Sequence, residues 1–367
     1  MMDAEWILQG SEQAVFRLRE LYQRHGYLPY KMSKFEEYDL YVRNKSFLVS
    51  EQILTFTDMD GKLMALKPDV TLSILKNSSQ GKGLQKVYYN ENVYRPASGA
   101  HSFHEIMQAG LECIGDLDDF SVGEVVMLAA RSLELIRSDY LLDLSHLGIV
   151  AGLLAPLHLN GETEQSLLRS MGEKNTPALR ELGTQLALPQ AVTNRLCRLA
   201  LLYGTPAQIL PELEALTDGA PQAQQALQEL SDLCALLAQY GLGANLRLDF
   251  SIVNDMNYYS GIIFRGYLPG LASGVLAGGR YDNLLKKMGR EGGAIGFAVY
   301  LDQFQRLLAP QRGYDADVLL LYDGGQPPAS VAAAANAILA SGKTVRVERE
   351  IPDGFRYREL RDLRKEV

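Results

Sequence analysis

From Tyr27 to Leu141 the sequence reads as short strands and loops, and from about His146 to Leu242 it changes to Leu, Ala, Gln and Glu in helical stretches broken at Pro156, Pro189, Pro206 and Pro221. Strand character returns at Leu246–Phe250 and Tyr258–Tyr267. This interruption constrains the fold more than any other feature. Strand segments on both sides of a helical block can share one core only if the block is an insertion, so an α+β domain with residues 146–242 as an inserted helical subdomain is expected.

Within that frame, Ser11–His25 has apolar residues at helical spacing and stops at Gly26, a C-cap residue. Asp58-Met-Asp-Gly61 places a turn between Ile53–Phe56 and Lys62–Leu66, which gives a hairpin inside a mostly antiparallel sheet. Further helices are expected at Asp69–Asn77, Val122–Ile136 and, as a long apolar run, Gly296–Leu308. After a linker at Ala309–Gly313 the chain reads as a small α/β unit over 313–367: a buried strand at Asp317–Tyr322, a helix at Ser330–Ala340, a strand at Thr344–Val347 and a last short helix.

With 367 residues at 47% hydrophobic composition, the chain can bury a large core in more than one domain. No apolar run reaches the roughly 18 residues that span a bilayer, and Met1–Gly10 lacks the pattern of a leader, so a cytoplasmic protein is expected. Cys113, Cys197 and Cys234 are odd in number and sit in apolar surroundings, as reduced core residues do. The net charge of −8 argues against a nucleic-acid partner, because such affinity rests on Lys and Arg. The basic run Arg356, Arg358, Arg361, Arg364, Lys365 is interspersed with Glu359, Asp362 and Glu366 and reads as a solvated helix face. His101 and His104 have no further ligands at metal spacing, and Gly274–Gly279 lacks the Lys-Ser/Thr of a phosphate loop. Neither a metal nor a cofactor is expected.

The segment Phe103–Ile114 carries the most chemistry. As a strand it puts Gln108, Gly110 and Glu112 on one face and Met107, Ala109, Leu111 and Cys113 on the other. From this pattern alone, a half-exposed strand with one face in water is the plainer reading. The alternative is a polar floor on which a carboxylate and an amide flanking a glycine receive a small cationic or polar ligand.

Five ordered segments over residues 10–310 bear on that choice. Tyr94-Arg-Pro96 with Phe103 and Gln108-Ala-Gly-Leu-Glu112 resembles motif 2 of the class II histidyl-tRNA synthetases. Leu66-Lys-Pro-Asp-Val-Thr71, Ile252-Val-Asn-Asp-Met-Asn-Tyr-Tyr259, Ala277-Gly-Gly-Arg-Tyr-Asp282 and Ala294-Ile-Gly-Phe-Ala298 are similar to further segments of that family, the last opening the helix of motif 3. The resemblance implies a class II synthetase-like antiparallel sheet over residues 1–312, the 313–367 unit being the start of an anticodon-binding domain. It also implies a histidine site of Asp69, Thr71, Arg95, Gln108, Glu112, Tyr258, Tyr259 and Tyr281, with Gly278 and Gly279 letting backbone approach the ligand.

The departures fall where the adenylation reaction needs cations against phosphate. Asn254 and Gln303 stand where the family has arginines. A synthetase body with its histidine-binding pocket kept and these two arginines lost resembles the ATP phosphoribosyltransferase regulatory subunits. That resemblance implies a non-catalytic protein with a homodimer core formed by Leu21–Glu37, histidine as ligand, and a short-form catalytic subunit as partner in a hetero-oligomer serving histidine biosynthesis. The competing reading is a divergent histidyl-tRNA synthetase or amino-acid-activating paralogue. A third, a module binding tRNA-like RNA, is opposed by the acidic charge.

Overall fold

The computed structural model describes residues 10–44, 48, 52–78, 83–96, 102–253, 258–304 and 313–365. They form two compact units, residues 1–308 and 309–367.

The first unit opens with α1 (Gly10–Arg24), β1 (Leu28–Pro29), β2 (Phe35–Glu37), α2 (Tyr38–Arg43), β3 (Thr55–Thr57), β4 (Leu63–Leu66) and α3 (Thr71–Asn77). Two long strands follow, β5 (Gln85–Pro96) and β6 (Phe103–Gly115), then α4 (Asp119–Glu134) and β7 (Leu141–His146). The helical block holds α5 (Leu147–Leu154), α6 (Gly161–Gly172), α7 (Thr176–Gln185), α8 (Gln190–Leu201), the two-residue β8 (Tyr203–Gly204), α9 (Pro206–Thr217) and α10 (Pro221–Gln239). Strands return as β9 (Leu246–Asp249), β10 (Ile262–Tyr267), β11 (Leu276–Arg280) and, after α11 (Asp282–Lys287), β12 (Gly293–Tyr300).

A nine-stranded sheet in the order β1-β5-β6-β12-β11-β10-β7-β9-β8 unites the two halves of the chain. The pairs β1·β5 and β7·β9 are parallel and the rest antiparallel. Because parallel neighbours cannot be joined by a tight turn, the helical block has a topological reason: it is the crossover from β7 to β9. Its proline breaks act as read from the sequence, Pro206 and Pro221 sitting at helix starts and Pro189 as an N-cap.

Helices α1, α4, α5 and α10 cover one sheet face, and α3 and α11 lie on the other. Strand β6 shows the expected period of two. Ala109, Leu111 and Cys113 enter the first core and Ile114 the second, with Glu112 and Gln108 on the second side. Side chains of this size contribute roughly 1.5–3 kcal/mol each when fully buried. Helix α4 starts where Asp118 and Ser121 cap each other, the Ser121 N–H donating to Asp118 Oδ1 at 2.8 Å. All three cysteines are buried thiols, and among the described residues no helix is long and apolar enough to cross a membrane.

Several expectations need correction. Gly296–Leu308 is not one helix: β12 runs through Tyr300, and a short 3-10 turn follows at Leu301–Phe304. A central strand covered on both faces is apolar at odd and even positions alike, so its periodicity resembles that of a buried helix. The motif 3-like segment Ala294–Ala298 is therefore strand. The hairpin of β3 and β4 forms around an Asp58 turn, with Gly61 at φ +79°, but in a separate three-stranded sheet with β2. The strand expected from Tyr258 begins at Ile262.

The second unit contains β13 (Ala316–Leu321), α12 (Pro328–Ala340), β14 (Val345–Glu348) and β15 (Tyr357–Asp362), with a parallel sheet in the order β14-β13-β15. The expected last helix is thus a strand. Its charges repeat at i, i+2: Arg361 pairs with Glu359 and Arg364 with Asp362, while Arg356 reaches Asp315. The basic run lies along an edge strand and its exit, where charged side chains belong.

Candidate functional site

A cavity of about 510 Å³ opens on the second face of the nine-stranded sheet. Its lining includes Asp69, Thr71, Arg95, Gln108, Glu112, Tyr258, Tyr259 and Tyr281, so all eight residues singled out from the sequence converge on it. Of the two departures, Asn254 lies outside the described residues. Gln303 sits in the turn after β12, accepting from Ser273 Oγ at 2.9 Å, and does not line the cavity. His101 also lies outside the described residues.

Glu112 is the centre of the inner end and is 2% exposed. Thr71 Oγ1 donates to Glu112 Oε1 at 2.8 Å, and the Tyr281 hydroxyl donates to Oε2. Thr71 also hydrogen-bonds with Tyr258. The carboxyl group lies across β12 at Gly296, where any side chain would collide with it. Burial pushes the Glu112 pKa up to about 8, the two hydroxyls pull it back in part, and nearby Asp69 adds to the rise. Burial thus favours the protonated form of Glu112, and a cation beside it would favour the carboxylate.

The loop that carries Asp69 and Thr71 is fixed from beneath. Lys67, fully buried, donates to Glu91 at 2.9 Å, and burial depresses its pKa. The Tyr94 N–H donates to the Lys67 carbonyl at 2.9 Å, and Arg95 Nε donates to the Pro68 carbonyl, also at 2.9 Å. Asp69 accepts from the Leu72 N–H at 2.9 Å; burial raises its pKa and the Arg95 charge opposes that rise. Tyr258 stacks edge-on to Tyr259 at 4.6 Å between centroids and lies 5.8 Å from Tyr281, giving an aromatic wall. Gln108 is 2% exposed and its Nε2 has no hydrogen-bond partner among the described residues, which suits an acceptor on a ligand.

Gly278 and Gly279 are closely packed by protein groups. A side chain at 278 would run into Phe264 and Phe297, and one at 279 into the Tyr259 ring.

The outer end was missed from the sequence. Tyr89, Arg265, Tyr267 and Tyr300 also line the cavity. Arg265 hydrogen-bonds with Tyr267, and its charge lies near the Tyr300 hydroxyl. The available signal was a lone arginine in the otherwise apolar run Ile262-Ile-Phe-Arg265. Among the described residues no group of three or more His, Cys, Asp or Glu is placed to hold a metal ion.

The histidyl-tRNA synthetase family profile matches residues 8–304. A relative from Caldanaerobacter subterraneus subsp. tengcongensis, named an ATP phosphoribosyltransferase regulatory subunit, is 32% identical over 302 residues, covering 81% of this chain and 77% of its own length. A solved structure from Bacillus halodurans, described as an ATP phosphoribosyltransferase regulatory subunit/histidyl-tRNA synthetase, superposes with a TM-score of 0.80 at 26% identity, covering 96% of this chain and 93% of its own. The histidyl-tRNA synthetase of Nostoc sp. PCC 7120 shares the fold, with a TM-score of 0.75 at 17% identity over 94% of this chain and 83% of that one.

Proposed function

Because this chain belongs to the ATP phosphoribosyltransferase regulatory subunits, a branch of the histidyl-tRNA synthetase family, we propose that its cavity recognises free histidine without activating it. The chain acts by joining a short-form catalytic subunit in the cytoplasm. There it supports the first step of histidine biosynthesis and makes that step responsive to histidine. Its core is a homodimer through Leu21–Glu37, and the 313–367 unit resembles part of an anticodon-binding-type domain.

The observation that carries the ligand assignment is the inner end of the cavity. A buried carboxyl of raised pKa and a buried amide donor without a partner among the described residues face one aromatic-walled space. Glu112 takes a cationic nitrogen of the ligand, the Gln108 amide an acceptor, and Tyr258, Tyr259 and Tyr281 flank the imidazole. Asp69, Thr71 and Arg95 complete the first ring of contacts.

A site of this kind need only bind and couple. Adenylation asks more, and each cation lost from the transition state costs on the order of 3–4 kcal/mol. Gln303 is neutral, and so is Asn254. Of the arginines that line the cavity, Arg95 is held by the Pro68 carbonyl and faces Asp69.

A second reading, an amino-acid-activating paralogue, is favoured by one observation: both Arg95 and Arg265 line the cavity. Two assays separate the readings. Mixed with the short-form catalytic subunit of the same genome, the chain is expected to confer ATP phosphoribosyltransferase activity that histidine inhibits, and alone it is expected to give no pyrophosphate exchange with histidine and ATP. Robust exchange, or a catalytic subunit fully active without this chain, would overturn the proposal.

A further inference from the structure

The strand register lays out a trough across the cavity floor. Gly110 on β6 is opposite Ala298 on β12, Ala298 is opposite Ala277 on β11, and Ala277 is opposite Arg265 on β10. One step along, Glu112 is opposite Gly296, and Gly296 is opposite Gly279. Directly opposed residues share a face. The strand positions between Glu112 and Arg265 are glycine and alanine, with the Tyr89 hydroxyl over Gly110 and the Tyr259 ring over Gly279, a carboxyl at one end and a guanidinium at the other.

From the register we infer that Arg265 is the residue that selects a free α-carboxylate, so that the cavity discriminates the amino acid from the corresponding amine. This rests on the histidine reading of the cavity and deepens it.

The geometry fits a small ligand. Gly296, over which the Glu112 carboxyl lies, is two strands and two residues away from Arg265, which is about 12 Å between backbones. Glu112 and Arg265 both line the one cavity, so a small ligand on this floor lies within reach of each.

The local chemistry also fits. Arg265 lines the cavity and its side chain hydrogen-bonds with Tyr267, while Tyr300, which hydrogen-bonds with Arg95, lies near both arginines. Asp143 is the cross-strand neighbour of Arg265 on β7, and Lys174 and Arg247 also lie near it. Arg95, the other cavity arginine, is held at Pro68 and faces Asp69. A guanidinium binds a carboxylate through two parallel N–H donors, a geometry that lysine does not reproduce.

The test compares histidine with histamine, which keeps the imidazole and the amine and lacks the carboxylate, by calorimetric titration of the full chain. The wild type is expected to bind histidine about 10- to 100-fold more tightly than histamine. Arg265→Gln should bring histidine down to the histamine level and leave histamine within about twofold, and Arg265→Lys should restore part of the difference. Thermal melting of each variant checks its fold. An unchanged histidine-to-histamine ratio in Arg265→Gln, or an equal loss of both ligands, overturns the inference while the histidine reading stands. A wild type that binds neither ligand sinks the histidine reading and the inference with it.

Discussion

At the inner end of the cavity Glu112 is held by two hydroxyls and pressed against a glycine, whereas at the outer end Arg265 stands between phenols on a floor of alanines. The inner end is buried and its carboxyl accepts from two hydroxyls, and burial raises its pKa. The outer end presents a charge that needs no such confinement, because a guanidinium keeps its proton in any protein environment. The difference implies that changes at the inner end alter stability and binding together, while changes at the outer end alter binding alone.

The largest expected effect is at Glu112. Glu112→Ala should weaken histidine binding by about 10- to 100-fold, the worth of a charge-assisted hydrogen bond, read by calorimetry. The fold should survive with a lower melting temperature, since the Thr71 and Tyr281 hydroxyls lose their acceptor. Next comes Gly296→Ala, which drives a methyl into the same carboxyl and should cost about 1–3 kcal/mol in denaturant unfolding. If it proved neutral, the close approach of Glu112 to β12 would be wrong.

The pH dependence of stability sharpens the contrast further. The Glu112 pKa is about 8 in the folded chain and near 4.5 in the unfolded one, so between those values the folded state holds a proton that the unfolded state has released. Its contribution is full below about pH 4.5, falls as pH rises and is gone above about 8. Asp143, pushed up to about 7 by burial and then by Asp249, adds a decline of the same sign that ends about one unit earlier. Denaturant melts of Glu112→Gln across this window should show a shallower decline than the wild type; an identical decline would mean that Glu112 is not protonated in the fold. The smallest effect belongs to the outer end: Tyr267→Phe, which removes the hydrogen bond to Arg265 and keeps the ring, should cost only about 0.5 kcal/mol of stability and change histidine affinity only modestly.

The same contrast explains what the sequence could reveal. The inner-end residues sit in contiguous strings such as Gln108–Glu112 and Arg280-Tyr-Asp282, whose chemistry is visible before any folding. Arg265, Tyr267 and Tyr300 are alternate positions of plain strands, and only the register of β10, β11 and β12 brings them to the cavity. The interruption between β7 and β9 announced the insertion because composition changes there. The two elements misread, β12 and β15, failed for opposite reasons: one is buried on both faces and loses its period, and the other is charged on its edge and passes for a helix face.

The most direct test of the central claim is a titration of histidine into the purified chain, by calorimetry with thermal shift alongside. A saturable heat with one site per chain, and a melting temperature that rises with occupancy, is the predicted result. Neither heat nor shift at millimolar histidine would contradict it and leave the cavity without the ligand assigned to it.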